Sequence, residues 1–300
     1  RALGVYMSTD ARIIRRFATF ADHDGAKQIS TNLVMRWLEG LPPANPGTRA
    51  TRFRVVRQFV EWLHGIDPGH EVPPRGLVSG HLKRVRPYIY SEGQIIAIIE
   101  QARTLPSNYG LRGLTCSTLF GLIAVTGLRI SEALGLDLAD LNLESGVLHV
   151  RQGKLGKERL LPLDPSVVQR LASYSCERDR MLGRRPEAFF VTCDGNRLGD
   201  CGARYNFAQV SQQIGLRVPQ LYGRHGRGPR IHDLRHAFAV RTMLNWYRLG
   251  KDVGREIIKL TTWLGHTDPA KTYWYLEAVP ELLALAATRI VDVAAEAEGR

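Results

Sequence analysis

Four short stretches of this 300-residue chain concentrate the side chains that phosphoryl transfer requires. They combine arginines and lysines, which hold phosphate oxygens, with histidines that move protons and a tyrosine hydroxyl that can attack phosphorus. The stretches are TGLRISE at 126–132, GKLGKERLLPL at 153–163, HDLRHAFA at 232–239 and LGHTDPAKTYWYL at 264–276. These residue types favour chemistry on a phosphodiester as the first hypothesis.

Each stretch taken alone also has an ordinary structural interpretation. Arg129 would pair with a buried carboxylate, and Lys154 and Lys157 would be solvated residues of a turn. His232 would cap a helix or lie in the core, and Tyr275 would pack on an amphipathic helix. The case for chemistry therefore depends on the four stretches acting together.

A metal site is the least supported use of these histidines. His232 and His236 stand four residues apart, the spacing of the zinc-protease pattern H-E-x-x-H, but Asp233 replaces the glutamate. No convincing third ligand follows in the sequence. We therefore predict that the chemistry uses no metal and no other cofactor.

The charge balance points to a polyanionic partner. Lysine and arginine total 41 against 29 aspartates and glutamates, which gives a net charge of +12 and an isoelectric point near 9.9. A domain this basic favours nucleic acid. An anionic membrane is the rival partner, but the sequence has neither a basic amphipathic anchor nor a lipidation motif, and no apolar run approaches the roughly 20 residues of a membrane span.

The cysteines and the first residues favour a cytoplasmic location. Four cysteines occur without a C-x-x-C pair, and their spacing predicts reduced thiols rather than a zinc site or a disulfide framework. The opening sequence RALGVYMSTDARIIRRF lacks the basic, apolar and small-residue regions of a signal peptide.

The composition along the chain predicts two domains joined by a linker. Residues 9–65 have apolar positions at helical spacing, and Ser30 is placed to cap a short helix that stops near Gly40. Residues 66–90 are rich in proline, glycine and basic side chains and lack periodicity. The predicted divisions are a helical domain at 1–66, a linker at 67–90 and a second domain at 91–300.

The second domain is predicted to be mainly α with a small antiparallel β-sheet, an α+β fold. Ser91 and Gln94 fit a capping box that opens its first helix. The runs VLHVR at 147–151 and RLLPL at 159–163 flank a turn containing glycine and lysine, which predicts a hairpin. The other expected elements are helices at 111–125, 166–182, 200–214, 232–247 and 252–263, a strand at 188–192 and a basic, glycine-rich loop at 215–230.

Together the four stretches resemble the signature of the tyrosine recombinase, or lambda-integrase, family over roughly residues 90–280. That signature is an arginine in T-G-L-R-x-S-E, a β-hairpin lysine, H-x-x-R, a histidine in L-G-H and a tyrosine nine residues after that histidine. Tyr273 is two residues short of this spacing. By the resemblance, the catalytic residues other than the lysine are Arg129, His232, Arg235, His266 and Tyr275.

The hairpin lysine has two candidates. The first lysine of the family's G-K-G-x-K-E-R turn is usually the catalytic one, which selects Lys154. Leu155 and Gly156 stand where the family commonly has glycine and then a polar residue, so Lys157 stays open as the alternative.

The resemblance also implies a reaction. The two arginines hold the nonbridging phosphate oxygens, His232 assists the loss of the tyrosine proton, the lysine protonates the leaving 5′-oxygen, and His266 hydrogen-bonds a phosphate oxygen. The resulting 3′-phosphotyrosyl link conserves the energy of the broken bond, so neither ATP nor a metal is required. Glu132, three residues after Arg129, would orient that arginine.

The family architecture implied is a C-shaped clamp, in which a helical, SAM-like core-binding domain and a catalytic domain surround duplex DNA. Strand exchange would proceed in a homotetramer on two specific DNA sites through a Holliday junction. The C-terminal helix would contact a neighbouring protomer or pack within its own chain, using an apolar face of Leu282, Leu283, Leu285 and Ile290.

The sequence thus predicts a DNA strand transferase that acts at the nucleoid as the site-specific recombinase of a mobile element, in integration, transposition or cointegrate resolution. It names no accessory protein. A type IB topoisomerase, which relaxes DNA with a related set of residues, stays open as the alternative.

Overall fold

The structure is a computed structural model that describes residues 8–80, 86–107, 110–151, 158–220 and 223–285; at 220, 223–227 and 277–278 it describes the backbone. The chain divides into two compact units, Arg1–Val85 and Arg86–Arg300. The division falls inside the segment that the sequence predicts as a linker, 67–90.

The first unit consists of three helices packed on one apolar cluster. The helices are α1 at Ser8–His23, α2 at Thr31–Glu39 and α3 at Pro46–His64. The hydroxyl of Ser30 accepts the amide N–H of Leu33 at 3.2 Å, which confirms the predicted cap of α2. Phe17 and Trp37 meet edge to face in the cluster, with ring centroids 5.4 Å apart.

The start of the predicted linker is folded against the first unit. The Nδ1 atom of His70 accepts the amide N–H of Ile29 at 3.1 Å. The carboxylate of Glu71 accepts both the amide and the hydroxyl of Thr31, at 2.9 and 2.8 Å. These contacts join residues about 40 positions apart in the chain, so this part of 67–90 belongs to the compact unit.

The second unit is mainly helical, and the predicted class, mainly α with a small antiparallel β-sheet, is confirmed, although the described part holds two such sheets rather than one. Its described helices are α4 at Glu92–Arg103, α5 at Leu111–Thr126, α6 at Ile130–Leu134, α7 at Pro165–Leu182, α8 at Asp200–Gln213, α9 at Ile231–Arg248, α10 at Val253–Leu264 and α11 at Ala270–Ala278. The described strands are β1 at Leu141–Asn142, β2 at Val147–Val150, β3 at Arg159–Pro162, β4 at Val218–Gln220 and β5 at Gly223–Arg227.

Local signals set several of these boundaries. The predicted capping box at the start of α4 is present: the hydroxyl of Ser91 accepts the amide of Gln94 at 3.2 Å, and the side chain of Gln94 accepts the amide of Ser91 at 3.0 Å. Gly127 ends α5 in the left-handed conformation, with φ of 65°.

Helix α5 lies at the centre of the second unit and packs against α4, α7, α8 and α9. It is buried on almost every side, as expected of a helix that is apolar all round. Within the described residues, however, no helix combines the length and the apolar composition needed to cross a bilayer.

The two strands of the predicted hairpin, β2 and β3, belong to a three-stranded sheet in the order β1-β2-β3, with β2 at its centre. Val147 pairs with Pro162 and Val150 with Arg159 in an antiparallel register. Leu148 and Leu161 are buried on the core side of the sheet, whereas Leu160 is exposed. This alternation also turns Arg159 towards the interior.

The strand predicted at 188–192 is wrong, because this segment makes only isolated bridges among the described residues, from Ala188 to Asp137 and from Val191 to Arg197. The carbonyls of Ala188 and Phe189 instead accept hydrogen bonds from the guanidinium of the fully buried Arg178, at 3.4 and 2.7 Å. A side chain thus satisfies backbone groups that a strand would have paired.

The loop predicted at 215–230 is also wrong in part, because strands β4 and β5 pair within it. Val218 pairs with Arg227 and Gln220 with Gly223, with a register shift between the two pairs. Strand β5 contains Gly223 and Gly226, and because glycine is rare in strand interiors the sequence did not indicate a strand there.

Candidate active site

Arg235 is the buried cation at the centre of the site. It lies on α9 with 1% of its surface exposed, and its terminal nitrogens donate to the carbonyls of Gly127 and Leu264, both at 2.6 Å. Burial and the nearby charge of Arg129 lower the pKa of Arg235 to about 10, which leaves the guanidinium charged at neutral pH. A buried cation held by carbonyls is stabilised further by an incoming anion.

Arg129 reaches the same region from the start of α6. One terminal nitrogen donates to Glu132 at 2.6 Å, so the ordinary pairing expected from the sequence is present, and the other donates to the carbonyl of Gly265 at 2.9 Å. The side chain is nevertheless 19% exposed, in contrast to that of Arg235.

Arg159 shares the carboxylate of Glu132. Its Nε donates to the carbonyl of Trp263 at 2.8 Å, and its terminal nitrogens donate to the two oxygens of Glu132 at 3.2 and 2.8 Å. Burial raises the pKa of Glu132, but the hydrogen bond and charge of Arg159, together with the backbone N–H and charge of Arg129, outweigh it and hold the pKa below its usual value.

The end of α10 therefore holds all three arginines. The consecutive carbonyls of Trp263, Leu264 and Gly265 accept Arg159, Arg235 and Arg129 respectively. Gly265 has φ of 63°, and a Cβ there would lie 2.9 Å from a terminal nitrogen of Arg159. A side chain at this position would displace the arginine cluster.

His232 lies in the first turn of α9, three residues before Arg235. Burial, followed by the positive charge of Arg235, lowers its pKa to about 4. The imidazole is therefore neutral at pH 7 and can act as a hydrogen-bonding group beside the guanidiniums.

Tyr275 reaches α9 from α11 and is 2% exposed. The hydrogen bond described for its hydroxyl is with Nδ1 of His236, at 2.7 Å. Tyr273, the other tyrosine of α11, is 43% exposed. Only Tyr275 of this pair is buried beside α9.

His266 follows Gly265 directly, beyond the end of α10. Its Nδ1 lies 2.8 Å from the hydroxyl of the fully buried Thr272, and that hydroxyl accepts the hydroxyl of Thr261 at 3.0 Å. This chain of hydrogen bonds fixes the orientation of the imidazole ring.

Lys154 and Lys157 lie outside the described residues, between β2 and β3. The strand that follows them begins at Arg159, whose side chain belongs to the arginine cluster. The base of the hairpin is thus attached to the site.

The structure brings Arg129, Arg235 and His232 together, with Tyr275 and His266 joined to them through α9 and the end of α10. Two of the three guanidiniums share one buried carboxylate, that of Glu132, and the third, Arg235, is held by carbonyls. Three arginines with one carboxylate carry an excess of two positive charges. Forked cations of this kind can hold nonbridging oxygens and stabilise negative charge that develops on a phosphorane-like transition state. Within the described residues, no group of three histidines, cysteines or carboxylates is arranged to hold a metal ion.

Two residues of the site were not predicted, Arg159 and His236. Arg159 shares strand β3 with the buried Leu161, so the period of two residues could have placed its side chain inward. His236 was considered only as a metal ligand, although its position one turn after His232 puts both on one face of α9.

The family model described as the phage integrase family matches residues 91–281 of this chain. The chain is 36% identical over 295 residues to y4rB of Sinorhizobium fredii, an integrase/recombinase by name, covering 97% of this chain and 93% of that protein. It is 30% identical to the tyrosine recombinase XerD of Caulobacter vibrioides, and the match covers 92% of this chain and 85% of that protein. Its fold is similar to that of lambda integrase in a tetramer bound to a Holliday junction, with a TM-score of 0.59, 17% identity, and 90% and 72% of the two chains covered.

Replacing Glu132 with glutamine should lower the free energy of unfolding by about 3 kcal/mol at pH 7, because it breaks a buried ion pair and leaves Arg129 and Arg159 uncompensated. Urea denaturation measures the loss. Since the native pKa of Glu132 lies below its ordinary value of 4.5, the stabilisation is fully present above that pH and is lost as the pH falls through the native pKa.

The matched control is Glu256→Gln, because Glu256 pairs at 2.7 Å with the exposed Lys259. This surface pair should contribute no more than about 1 kcal/mol. Equal losses in the two variants would contradict a structural role for the buried carboxylate.

His232 should make the protein less stable in mild acid. Its pKa is about 4 in the folded chain against 6.5 ordinarily, so the unfolded chain takes up the proton first, and stability falls as the pH drops from about 6.5 towards 4. His232→Gln should remove this part of the pH dependence in urea denaturation at pH 7 and pH 5. If His232→Gln loses as much stability between pH 7 and pH 5 as the wild type does, His232 does not titrate in this way.

Proposed function

This chain belongs to the phage integrase family of tyrosine recombinases, which are DNA strand-transferring enzymes, and we propose that it cuts and rejoins DNA at specific sites through a 3′-phosphotyrosyl link to Tyr275. The observation that carries the proposal is the set of three arginines on consecutive carbonyls at the end of α10. This cluster is preorganised, carries excess positive charge and contains two of the residues that match the family signature.

In the proposed cleavage step, Arg129 and Arg235 hold the nonbridging oxygens of the scissile phosphate. Their guanidiniums are already oriented by backbone carbonyls, so little reorganisation is required when charge develops on those oxygens. His232, neutral at pH 7, and His266, fixed by Thr272, add hydrogen bonds to the same phosphate.

Tyr275 attacks phosphorus with its hydroxyl oxygen, and the bond from phosphorus to the 5′-oxygen breaks. The leaving oxygen would be strongly basic as an alkoxide and needs a proton, which we assign to Lys154, with Lys157 as the alternative donor. A 5′-hydroxyl of the partner strand then attacks the phosphotyrosine and restores a phosphodiester. The energy of the original bond is conserved, so ATP is not consumed.

We propose that this chain acts in the same assembly as the lambda integrase structure, a tetramer bound to a Holliday junction. The shared fold supports this proposal. Four copies on two DNA sites would exchange one pair of strands at a time, so that cleavage by two Tyr275 residues precedes cleavage by the other two.

The two units would divide the contacts with DNA. We propose that residues 1–66, together with the start of 67–90, form a core-binding domain. The rest of 67–90 would link it to the catalytic domain, and the C-terminal helix would contact a neighbouring protomer. Residues 280–285 are helical, and Leu282 is buried within its own chain, whereas Leu283 is 48% exposed. Ile290 lies outside the described residues.

We further propose a role in the movement or resolution of a mobile element, at the nucleoid. The similarity to y4rB, an integrase/recombinase by name, supports this role over general relaxation of DNA. A type IB topoisomerase would relax any supercoiled plasmid, whereas we expect this chain to relax none that lacks its recombination site.

Wild-type protein should form a covalent adduct with nicked DNA, and Tyr275→Phe should not, because the substitution removes only the attacking oxygen. The probe is a library of duplexes of random sequence, each about 40 base pairs long and carrying one nick. Covalent adducts are recovered from the library under denaturing conditions. Peptide mapping should find the phosphate on Tyr275. A phosphate on Tyr273, the more exposed tyrosine of α11, would contradict the assignment.

Lys154→Ala should cleave the selected duplex poorly but cleave its 5′-bridging phosphorothiolate analogue well. The sulfur leaves without a proton, because a thiol has a pKa of about 8.5. Arg129→Ala should not be rescued comparably, since its proposed task is to stabilise charge. Cleavage is measured in a single turnover on both duplexes.

Lys157→Ala serves as the matched variant and should show a milder defect without selective rescue. Rescue of Lys157→Ala alone would assign the proton donor to Lys157. If neither variant is rescued, the donor is a different group, and His266 is the next to be tested.

A further inference from the structure

His236 contacts the atom that would attack phosphorus. Its Nδ1 lies 2.7 Å from the hydroxyl oxygen of Tyr275, and the two ring centroids are 5.4 Å apart. The side chain of His236 is 12% exposed and Tyr275 is 2% exposed. At this distance the imidazole can take the phenolic proton directly, without an intervening water.

The surroundings of His236 favour a lone pair on Nδ1. The other ring nitrogen, Nε2, lies 4.0 Å from an oxygen of Asp233, one turn earlier on α9. A carboxylate on that side favours the tautomer with its proton on Nε2, which leaves Nδ1 to accept from Tyr275. Asp233 is itself held in place, because its other oxygen accepts the amide of Arg230 at 2.7 Å.

His232 is less suited to the same task. It lies closer to the positive cluster, and burial together with Arg235 lowers its pKa to about 4, which makes it a weak proton acceptor. The ring of His236 packs edge to face against that of His232, with centroids 4.7 Å apart. It also contacts the ring of Tyr275 on α11. The two histidines of α9 can therefore serve different partners, His232 the phosphate and His236 the tyrosine.

We propose that His236 is a catalytic residue that accepts the proton of Tyr275 during strand cleavage and returns it during rejoining, an inference that rests on the proposed role of Tyr275 as nucleophile. In cleavage, the O–H bond of Tyr275 breaks as its oxygen bonds to phosphorus, and the proton passes to Nδ1. The 5′-oxygen leaves with the electrons of its bond to phosphorus and takes a proton from the lysine. Asp233 stabilises the imidazolium that forms.

Rejoining reverses these transfers. The incoming 5′-hydroxyl gives its proton back to the lysine as its oxygen attacks phosphorus, and the leaving phenolate takes its proton from His236. Among the described contacts of His236, the titratable and charged groups that face it are Tyr275 from α11 and His232 and Asp233 from α9. The pH dependence of cleavage would therefore report this group of residues as a coupled set.

The decisive variant is His236→Asn. The asparagine amide can occupy the place of Nδ1 and keep a hydrogen bond to Tyr275, but it cannot accept a proton. Single-turnover cleavage of the selected nicked duplex should slow by roughly 10²-fold or more. The rate of the wild type should fall at low pH through an inflection that His236→Asn lacks. The exposed Glu177→Gln, on α7 of the same unit, is the control and should keep the wild-type rate and pH profile.

The phosphorothiolate duplex distinguishes a variant that lacks the proton acceptor for Tyr275 from a variant that lacks the proton donor for the 5′-oxygen. His236→Asn should remain slow on this duplex, because sulfur assists only the leaving group, whereas Lys154→Ala should recover. Binding of His236→Asn to the same duplex in a gel shift should match that of the wild type. His236→Gln is measured in parallel, in case His236→Asn folds poorly, and should show the same defect.

Wild-type cleavage matched by both His236 variants in rate and pH profile would overturn the inference and leave the proposed function intact. Rescue of the variants by sulfur would also overturn it. If the wild type forms no adduct with any member of the library, the proposed function fails, and this inference fails with it.

Discussion

The end of helix α10 is the constraint on which the site depends. Its last carbonyls lack partners within the helix and carry the partial negative charge of the helix dipole. Here three of them in a row, those of Trp263, Leu264 and Gly265, each accept a different arginine. Arginines that arrive from α6, β3 and α9 are therefore fixed relative to one another by a single stretch of backbone. The indole N–H of Trp263 donates to the carbonyl of Thr126 at 2.7 Å and joins the end of α5 to the same stretch.

This arrangement stabilises the cations without neutralising them. A carboxylate for each arginine would make the folded chain more stable, but each would compete with an incoming phosphate. The structure instead uses partial charges from carbonyls and one shared carboxylate, Glu132. The remaining positive charge is costly in the free protein, because burial opposes it, as the lowered pKa of Arg235 indicates. In the proposed complex, an entering phosphodiester would make the same charge favourable.

Most of the fold could be predicted from the sequence, because its signals are local. The capping box at Ser91, the apolar helix α5 and the β2–β3 hairpin each depend on residues within a few positions of one another. The segment 188–192 could not be predicted in the same way. The guanidinium of Arg178 donates hydrogen bonds to two backbone carbonyls of this segment. No local sequence pattern indicates such a contact between helix α7 and a loop.

The candidate site shows the same limit. The arginines, histidines and tyrosine that match the family signature could be identified from motif spacing. The pairing of Arg129 with Glu132 follows from a separation of three residues at the start of one helix. The sharing of Glu132 with Arg159 spans 27 positions, and the approach of His236 to Tyr275 spans 39. Both depend on tertiary packing and had no sequence signal strong enough to assign a partner.

Helix α9 then explains how one short motif can serve both partners of the reaction. Successive residues of an α-helix point about 100° apart, and residues three or four apart share a face. His232 and Arg235 are three apart, and the partly buried imidazole lies close to the fully buried guanidinium of the arginine cluster. His236 is four residues after His232 and one after Arg235, so it projects from the edge of that face towards α11. A rigid turn of helix thereby sets the distance between the groups that would hold the phosphate and the group that holds the nucleophile.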